Sequence, residues 1–351
     1  MATFNTLVIS KIQRETSKAI SISFDVPESL KNTYAFEAGQ YLTLKTKIDG
    51  QEIRRDYSIS SSPRSNDLTV TIKEIENGIF SSFANQELKV GESIAVAPPK
   101  GRFTYTTNSD RQNTIVAFAA GSGITPIMSI LKTVLDTNTS QKFVLVYGNK
   151  TPEETIFFKL LHDLKTQYPT RFELQYVYSQ AQGESALFGR IDKGNTNYSL
   201  KNLINIDQTS AFYLCGPEKM IHTVKEVLLQ HNVCEDDILF ELFTATTTVA
   251  EAQVSIPSGP TKATVLVDDE TTEISVNSEQ TILEAALKHD VDVPYSCQGG
   301  VCSSCICRIT KGTAEMRQNS VLTDGEVAEG LVLSCQAVPT SAVIHIDFDD
   351  V

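Results

Sequence analysis

Four cysteines, Cys297, Cys302, Cys305 and Cys335, constrain this chain more than any other feature of its sequence. They follow the pattern C-x4-C-x2-C, with a fourth cysteine after 29 intervening residues. Three sulfurs so close in sequence converge only if the backbone wraps around them, so this stretch must be a loop. Gly299 and Gly300 suit it, because backbone without a Cβ can bring its N–H groups close to a sulfur. The run Leu331-Val332-Leu333-Ser334 reads as a strand that delivers Cys335 at its end. Five of the seven cysteines lie between Cys297 and Cys335. Residues Met1 to Leu7 show no basic start followed by an apolar run, and no stretch approaches about 18 apolar residues. The expectation is a cytoplasmic chain with no membrane span, whose thiols stay reduced and serve metal or redox chemistry.

The spacing is that of a plant-type [2Fe–2S] centre. Each tetrahedral iron takes two bridging sulfides and two protein sulfurs, so four thiolates are required. A zinc site is the competing reading, but four-cysteine zinc sites ordinarily use two C-x2-C pairs, and here the fourth cysteine stands alone. Cys307 reads as a packed thiol rather than a ligand.

The chain's 351 residues suggest two or three domains. Hydrophobic residues at 41% and charged residues at 21% are those of an ordinary globular protein. There are 30 Lys and Arg against 43 Asp and Glu, a net charge of −13. No basic surplus exists to displace phosphate counterions, so nucleic-acid binding is disfavoured. The charge is uneven: residues 263–351 hold 15 acids and 4 bases, whereas the preceding 262 hold 28 and 26. Such a segment is either a solvated tail or a folded domain that meets a basic partner. Strand and helix patterns within it favour the domain.

Residues 1–108 read as short strands, among them Leu7-Val8-Ile9, Ala19 to Phe24, Tyr41 to Leu44 and Leu68 to Ile72, punctuated by Gly39, Gly50, Gly91 and Pro98-Pro99. That rhythm predicts a small antiparallel β-barrel. Residues 109–245 alternate strands (Thr114 to Ala119, Lys142 to Tyr147, Phe172 to Val177, Ala211 to Leu214) with helices, one covering Pro126 to Leu135. This predicts an α/β domain with a parallel sheet. Residues 246–262 have the composition of a linker. Residues 263–351 open with two strands and a helix from about Thr281 to Lys288, and carry the cysteines.

Two further sites are legible. Arg55-Asp56-Tyr57-Ser58 lies at the expected start of a β segment. Arginine neutralises a pyrophosphate, a tyrosine ring stacks on a flat cofactor, and a serine hydroxyl bonds a ring nitrogen. Gly78-Ile79-Phe80-Ser81-Ser82 puts a glycine turn and hydroxyls at a helix start, a seat for phosphate. Farther on, Gly121-Ser122-Gly123-Ile124-Thr125-Pro126 follows a buried strand and opens a helix. Its glycines admit phosphate oxygens, although Pro126 stands where the dinucleotide fingerprint has its third glycine. Cys215-Gly216-Pro217 repeats the strand-to-helix turn; on its own, Cys215 reads equally as a small buried side chain.

Taken together, these segments resemble the ferredoxin–NADP reductase superfamily joined to a C-terminal plant-type ferredoxin domain of the β-grasp, α+β kind. The ferredoxin resemblance rests on Pro294-Tyr295-Ser296-Cys297-Gln298-Gly299-Gly300-Val301-Cys302-Ser303-Ser304-Cys305 and Leu333-Ser334-Cys335-Gln336. The resemblance implies that Arg55, Tyr57 and Ser58 contact FAD, that Gly78, Ser81 and Ser82 hold its pyrophosphate, and that Lys73 belongs to the same layout. It implies that Gly121, Gly123, Thr125, Pro126, Cys215, Gly216 and Pro217 take NADH or NADPH, and that Glu241 and Phe243 lie near the flavin. Tyr57, Ser58, Cys215 and Glu241 then surround the reacting atoms. The choice of nucleotide stays open: Ser179-Gln180 lacks an arginine for a 2′-phosphate, Lys150 and Arg190 could serve it, and no acid ends the Lys142–Tyr147 strand. A reductase half followed by a ferredoxin resembles the reductase components of multicomponent oxygenases, most of all those serving phenylacetyl-CoA epoxidases. The implied partner is an oxygenase component, met through the acidic domain. Other hydroxylases or desaturases are alternative partners, and a metal-binding redox sensor is the alternative from a different class.

Overall fold

The structure is a computed structural model that describes residues 4–105, 114–136, 140–183, 185–243, 259–277 and 279–351. Two compact units divide it, one spanning Asn5–Phe243 and the other lying within Thr244–Val351.

The first unit begins with β1 (Asn5–Thr16), β2 (Ala19–Asp25), β3 (Tyr41–Ile48), β4 (Gln51–Ser58), β5 (Leu68–Lys73), α1 (Ile79–Gln86) and β6 (Ser93–Val96). The strands form one antiparallel sheet in the order β4-β3-β6-β1-β2-β5. The sheet closes on itself just past β4, where Ile59 bridges Val70 and the Ser60 amide donates to the Thr69 carbonyl at 2.8 Å. Alternation makes the barrel: Ile20, Ile22 and Phe24 of β2 fill the core with Leu42, Leu44 and Val70. Between them, Ser21 and Ser23 bond the hydroxyls of Thr71 and Thr69 across the strands at 2.9 and 2.8 Å.

The second half of this unit runs β7 (Thr114–Ala120), α2 (Ile124–Asp136), β8 (Lys142–Asn149), α3 (Phe158–Gln167), β9 (Phe172–Tyr178), β10 (Leu187–Phe188), α4 (Lys193–Asn202), β11 (Thr209–Gly216), α5 (Glu218–Gln230) and β12 (Ile238–Leu242). All six strands are parallel, in the order β10-β9-β8-β7-β11-β12. Connections run one way from β7 to β10 and the other way to β11 and β12, so the sheet has its switch point between β7 and β11. Crevices at such points, beyond the carboxyl ends of the strands, are where open α/β sheets bind ligands.

The other unit contains β13 (Thr261–Val267), β14 (Glu270–Val276), α6 (Ile282–Lys288), β15 (Ile306–Lys311), β16 (Ala314–Met316), α7 (Asp324–Ala328), β17 (Leu331–Leu333), β18 (Ala337–Pro339) and β19 (Val343–Asp347). A five-stranded mixed sheet in the order β14-β13-β19-β15-β17 grasps α6. Thr281 and Glu284 cap α6 reciprocally, and the helix buries Ile282, Leu283, Ala285 and Ala286. β13 begins at Thr261, inside the stretch with linker composition; the rest of that stretch, 246–258, and both expected boundaries at 108/109 and 245/246 fall on or beside residues outside the described set.

Candidate functional site

Arg55, Asp56, Tyr57 and Ser58 sit at the end of β4, not at the start of a strand as the sequence suggests. The cause is the tight β3–β4 hairpin. Asp49 and Gly50 both take positive φ, 51° and 79°, which makes a two-residue turn and sets Ser58 opposite Tyr41. The Asp-Gly pair between two strand-like runs is the signal for this placement. The Tyr57 ring lies 5.5 Å from that of Phe80 on α1, and burial pushes its phenol pKa up.

Gly78 is the N-cap of α1. A Cβ on it would come within 2.3 Å of the Ser81 Oγ and 2.4 Å of an Ile75 carbon, so a larger residue would have to push both side chains aside. The Ser81 hydroxyl is spent locally: it donates to the Gly78 carbonyl at 3.2 Å and accepts from the Ile75 amide at 3.2 Å. Ser82 gives its amide to the Gly78 carbonyl at 2.9 Å. What this turn offers an anion is therefore the unspent N–H groups of the first helical turn rather than the Ser81 hydroxyl.

Lys73 ends β5 and reaches out of the barrel. Its Nζ stands 3.6 Å from where a Cβ on Gly121 would sit. Burial lowers its pKa, while Glu154 opposes that shift. A cation thus stands against the glycine turn of the parallel-sheet half.

In that half, Gly121-Ser122-Gly123 forms a single 3-10 turn, and α2 starts at Ile124, two residues before the predicted start at Pro126. The proline falls in the first helical turn, where its missing N–H costs nothing. Thr125 Oγ1 donates to the Ser122 carbonyl at 3.0 Å. A Cβ on Gly123 would lie 2.1 Å from the Cys215 carbonyl oxygen and 2.8 Å from the Gly216 nitrogen. The β7–α2 turn is therefore pressed backbone to backbone against the end of β11, at the switch point. Gly216 in turn leaves room for Met220, and Pro217 is the N-cap of α5.

Cys215 and Glu241 are register partners on β11 and β12. Cys215 is fully buried and its thiol pKa is raised, by burial first and by Glu241 second. Glu241 as a residue is partly exposed, but its Oε2 is enclosed and has no hydrogen-bond partner among the described residues. Burial, reinforced by Asp56, pushes its carboxyl up to about 8, and the nearby Ser58 side chain works the other way. Ser58, Cys215 and Glu241, distant in sequence, thus meet. Phe243 stands just past β12 with 36% of its surface exposed.

Three residues of this half carry no motif that singles them out in the sequence. Asn149 Nδ2, at the end of β8, and the hydroxyls of Tyr176 and Tyr178, on β9, are buried without a hydrogen-bond partner among the described residues. Tyr176 stacks between Phe158 and Tyr178, with ring centroids at 5.6 and 5.5 Å. The Tyr-x-Tyr alternation at the end of β9 is the one signal available for it. Beside them, the amides of Ser179 and Gln180 donate to the carbonyls of Asn149 and Lys150 at 3.0 and 2.9 Å, and Lys150 Nζ lies 4.0 Å from Glu154. Arg190 is exposed.

In the other unit, the loop after α6 brings four thiols together in two pairs. The Gly299 amide donates to Cys297 Sγ at 3.3 Å. The bond with Cys302, together with the amides of Gly299, Val301 and Cys302, pulls the Cys297 pKa down to about 6. Cys335 is lowered by its bond with Cys305 and, further, by the Gly300 amide and the Gln336 side chain, while Cys305 is raised by the same pairing and by burial. Donors aimed at sulfur suit thiolates carrying an anionic centre. Among the described residues, no group of three or more His, Cys, Asp or Glu could hold a single metal ion. Two pairs fit two irons, each taking two thiolates, better than one zinc. Gly300 has φ +72° and a Cβ there would press on the Gln318 carbonyl at 3.0 Å, so the loop needs a glycine. Cys307 is fully buried, as a packed thiol should be.

These features define a flavin- and nicotinamide-dependent oxidoreductase with an iron–sulfur domain. Family models match for an oxidoreductase FAD-binding domain at residues 6–105, an oxidoreductase NAD-binding domain at 118–226 and a 2Fe-2S iron-sulfur cluster binding domain at 265–340. The chain belongs to this family of FAD-, NAD- and [2Fe–2S]-binding reductases, whose curated members include reductase components of oxygenases. It is 38% identical, over 99% of each chain, to one of the subunits of the 1,2-phenylacetyl-CoA epoxidase of Escherichia coli strain K12. It is 32% identical to the ferredoxin reductase component of 3-ketosteroid-9-alpha-monooxygenase from Rhodococcus rhodochrous, over 97% of this chain and 96% of that one. Among solved structures, phthalate dioxygenase reductase shares the fold, with a TM-score of 0.63 and 24% identity over 98% of each chain. Among the described residues, no helix is long and apolar enough to cross a membrane.

Proposed function

We propose that this chain draws electron pairs from NADH or NADPH and passes them singly to an oxygenase component, with a phenylacetyl-CoA epoxidase as the partner. The observation that carries the reading is the meeting of Ser58, Cys215 and Glu241 where the barrel faces the switch point of the parallel sheet. FAD accepts hydride and can release electrons one at a time, which is what a one-electron iron–sulfur centre requires. The residues do the rest. Arg55 neutralises pyrophosphate charge, Tyr57 and Phe243 supply ring faces for the flavin, and Ser58 positions its polar edge. Gly78 and the unspent N–H groups of the first turn of α1, that of Ser81 among them, seat the pyrophosphate, beside Ser82. Gly121, Gly123, Thr125 and Pro126 admit the nicotinamide nucleotide against Cys215, Gly216 and Pro217, with Lys73 balancing phosphate charge. Glu241, held protonated near neutral pH by its enclosure, adds no negative charge beside the hydride path. Cys297, Cys302, Cys305 and Cys335 hold the cluster.

The unspent Asn149 amide and Tyr176 hydroxyl fit the adenosine end of the nucleotide. The acidic domain meets a basic face of the partner, and the cytoplasm is the compartment in which its thiols stay reduced. Reconstitution with the oxygenase components of a phenylacetyl-CoA epoxidase tests the partner. Phenylacetyl-CoA should be oxidised in step with NAD(P)H; nucleotide oxidation without product, alongside productive coupling to another oxygenase, would assign a different one.

A further inference from the structure

Only two serine hydroxyls among the described residues are buried without a hydrogen-bond partner, those of Ser296 and Ser334. They are 1% and 0% exposed. Buried serines elsewhere in the chain find partners: Ser60 bonds the Thr71 hydroxyl at 2.8 Å, Ser129 donates to the Ser61 carbonyl at 2.6 Å, and Ser199 donates to the Asn195 carbonyl at 2.9 Å. A hydroxyl rotates freely to reach an acceptor, so a buried orphan is uncommon and calls for a cause. The two orphans share an address. Ser296 directly precedes Cys297 and Ser334 directly precedes Cys335, so each thiol pair has one beside it. The backbone of Ser334 is pinned there: its amide donates to the Cys305 carbonyl at 2.9 Å, and its carbonyl accepts from Leu283 at the start of α6 at 3.0 Å.

We propose that the hydroxyls of Ser296 and Ser334 donate hydrogen bonds to sulfurs of the [2Fe–2S] cluster and so raise its reduction potential. The inference rests on the reading of the four cysteines as cluster ligands. One electron, supplied by the reduced flavin, enters the cluster without a proton, and the added charge falls partly on sulfur. A donor bonded to that sulfur therefore binds the reduced form more tightly than the oxidised one, and hydrogen bonds to sulfur are among the factors that set such potentials. Both serines are positioning residues rather than ligands.

A redox titration of the full-length holoprotein, followed by visible absorption and EPR, tests this. Ser334→Ala and Ser296→Ala should each weaken cluster reduction about tenfold, a fall of about 59 mV for a one-electron couple, with the flavin potential unmoved. Ser334→Thr and Ser296→Thr, which keep the hydroxyl, should hold the wild-type cluster potential. Alanine variants with a full cluster and a wild-type potential would overturn the inference while leaving the cluster reading intact. Equal shifts for alanine and threonine would also overturn it, since packing rather than the hydroxyl would be responsible. If an alanine variant loses the cluster, valine replaces it as the isostere of threonine, and equal potentials for that pair would overturn the inference. A wild-type protein that binds iron and sulfide in no form overturns the cluster reading and the inference with it.

Discussion

Ser58, at the end of a barrel strand, stands close enough to Glu241, on the last strand of the parallel sheet, for its side chain to favour the charged form of that carboxyl against burial. The pair joins the barrel half of the unit to its parallel-sheet half. It also sets a titration. Burial raises the Glu241 carboxyl from 4.5 to about 8, so the folded protein holds a proton that the unfolded chain releases across that interval. Stability from this group is fully present below pH 4.5 and is lost as pH rises through 8. Thermal unfolding measured from about pH 5 to 9 should show that decline, and Glu241→Gln should flatten it. Ser58→Ala removes a side chain that favours the charged form, so the decline should extend to higher pH.

Gly123 is the tightest approach between the β7–α2 turn and β11. Gly123→Ala would drive a methyl group into the Cys215 carbonyl, where only backbone can give way. Overpacking of this kind costs about 1–3 kcal/mol. The displaced turn should slow flavin reduction by NAD(P)H roughly tenfold, for about 1.4 kcal/mol of lost alignment. Stopped-flow bleaching of the flavin measures it, and an unchanged rate would remove this turn from the nucleotide site.

The charge of residues 263–351, 15 acids against 4 bases, predicts a rate that depends on salt. Long-range attraction raises the encounter rate with a basic partner and is screened within about 10 Å at roughly 0.1 M salt. Electron delivery to the oxygenase component should therefore slow several-fold as ionic strength rises, while flavin reduction by nucleotide stays level. Equal response of both steps would leave the acidic surface with solubility as its role.

The three-part architecture is legible in the sequence because it rests on local signals: alternation in the barrel strands, strand-helix alternation after residue 112, and fixed cysteine spacing. What escapes sequence reading is set by tertiary contact. Arg55–Ser58 falls at the far end of its strand because Asp49-Gly50 is a hairpin turn and not mere punctuation between segments. The Ser81 hydroxyl looks available to phosphate in the sequence, yet it is consumed by Gly78 and Ile75 within its own turn. The importance of Glu241 depends on Ser58 and Asp56, which no spacing rule connects to it. The orphan hydroxyls of Ser296 and Ser334 carry no sequence signal, since a hydroxyl without a partner exists only once everything around it is packed.

The order of electron flow is the central claim, and Cys302→Ser tests it most directly. Serine removes one thiolate of the Cys297–Cys302 pair and changes no residue of the unit that carries the flavin site. The flavin should still bleach with NAD(P)H at the wild-type rate, while reduction of the oxygenase component and product formation are lost. Loss of both steps, or delivery to the oxygenase at the wild-type rate without a cluster, would contradict the path from nucleotide through flavin to cluster.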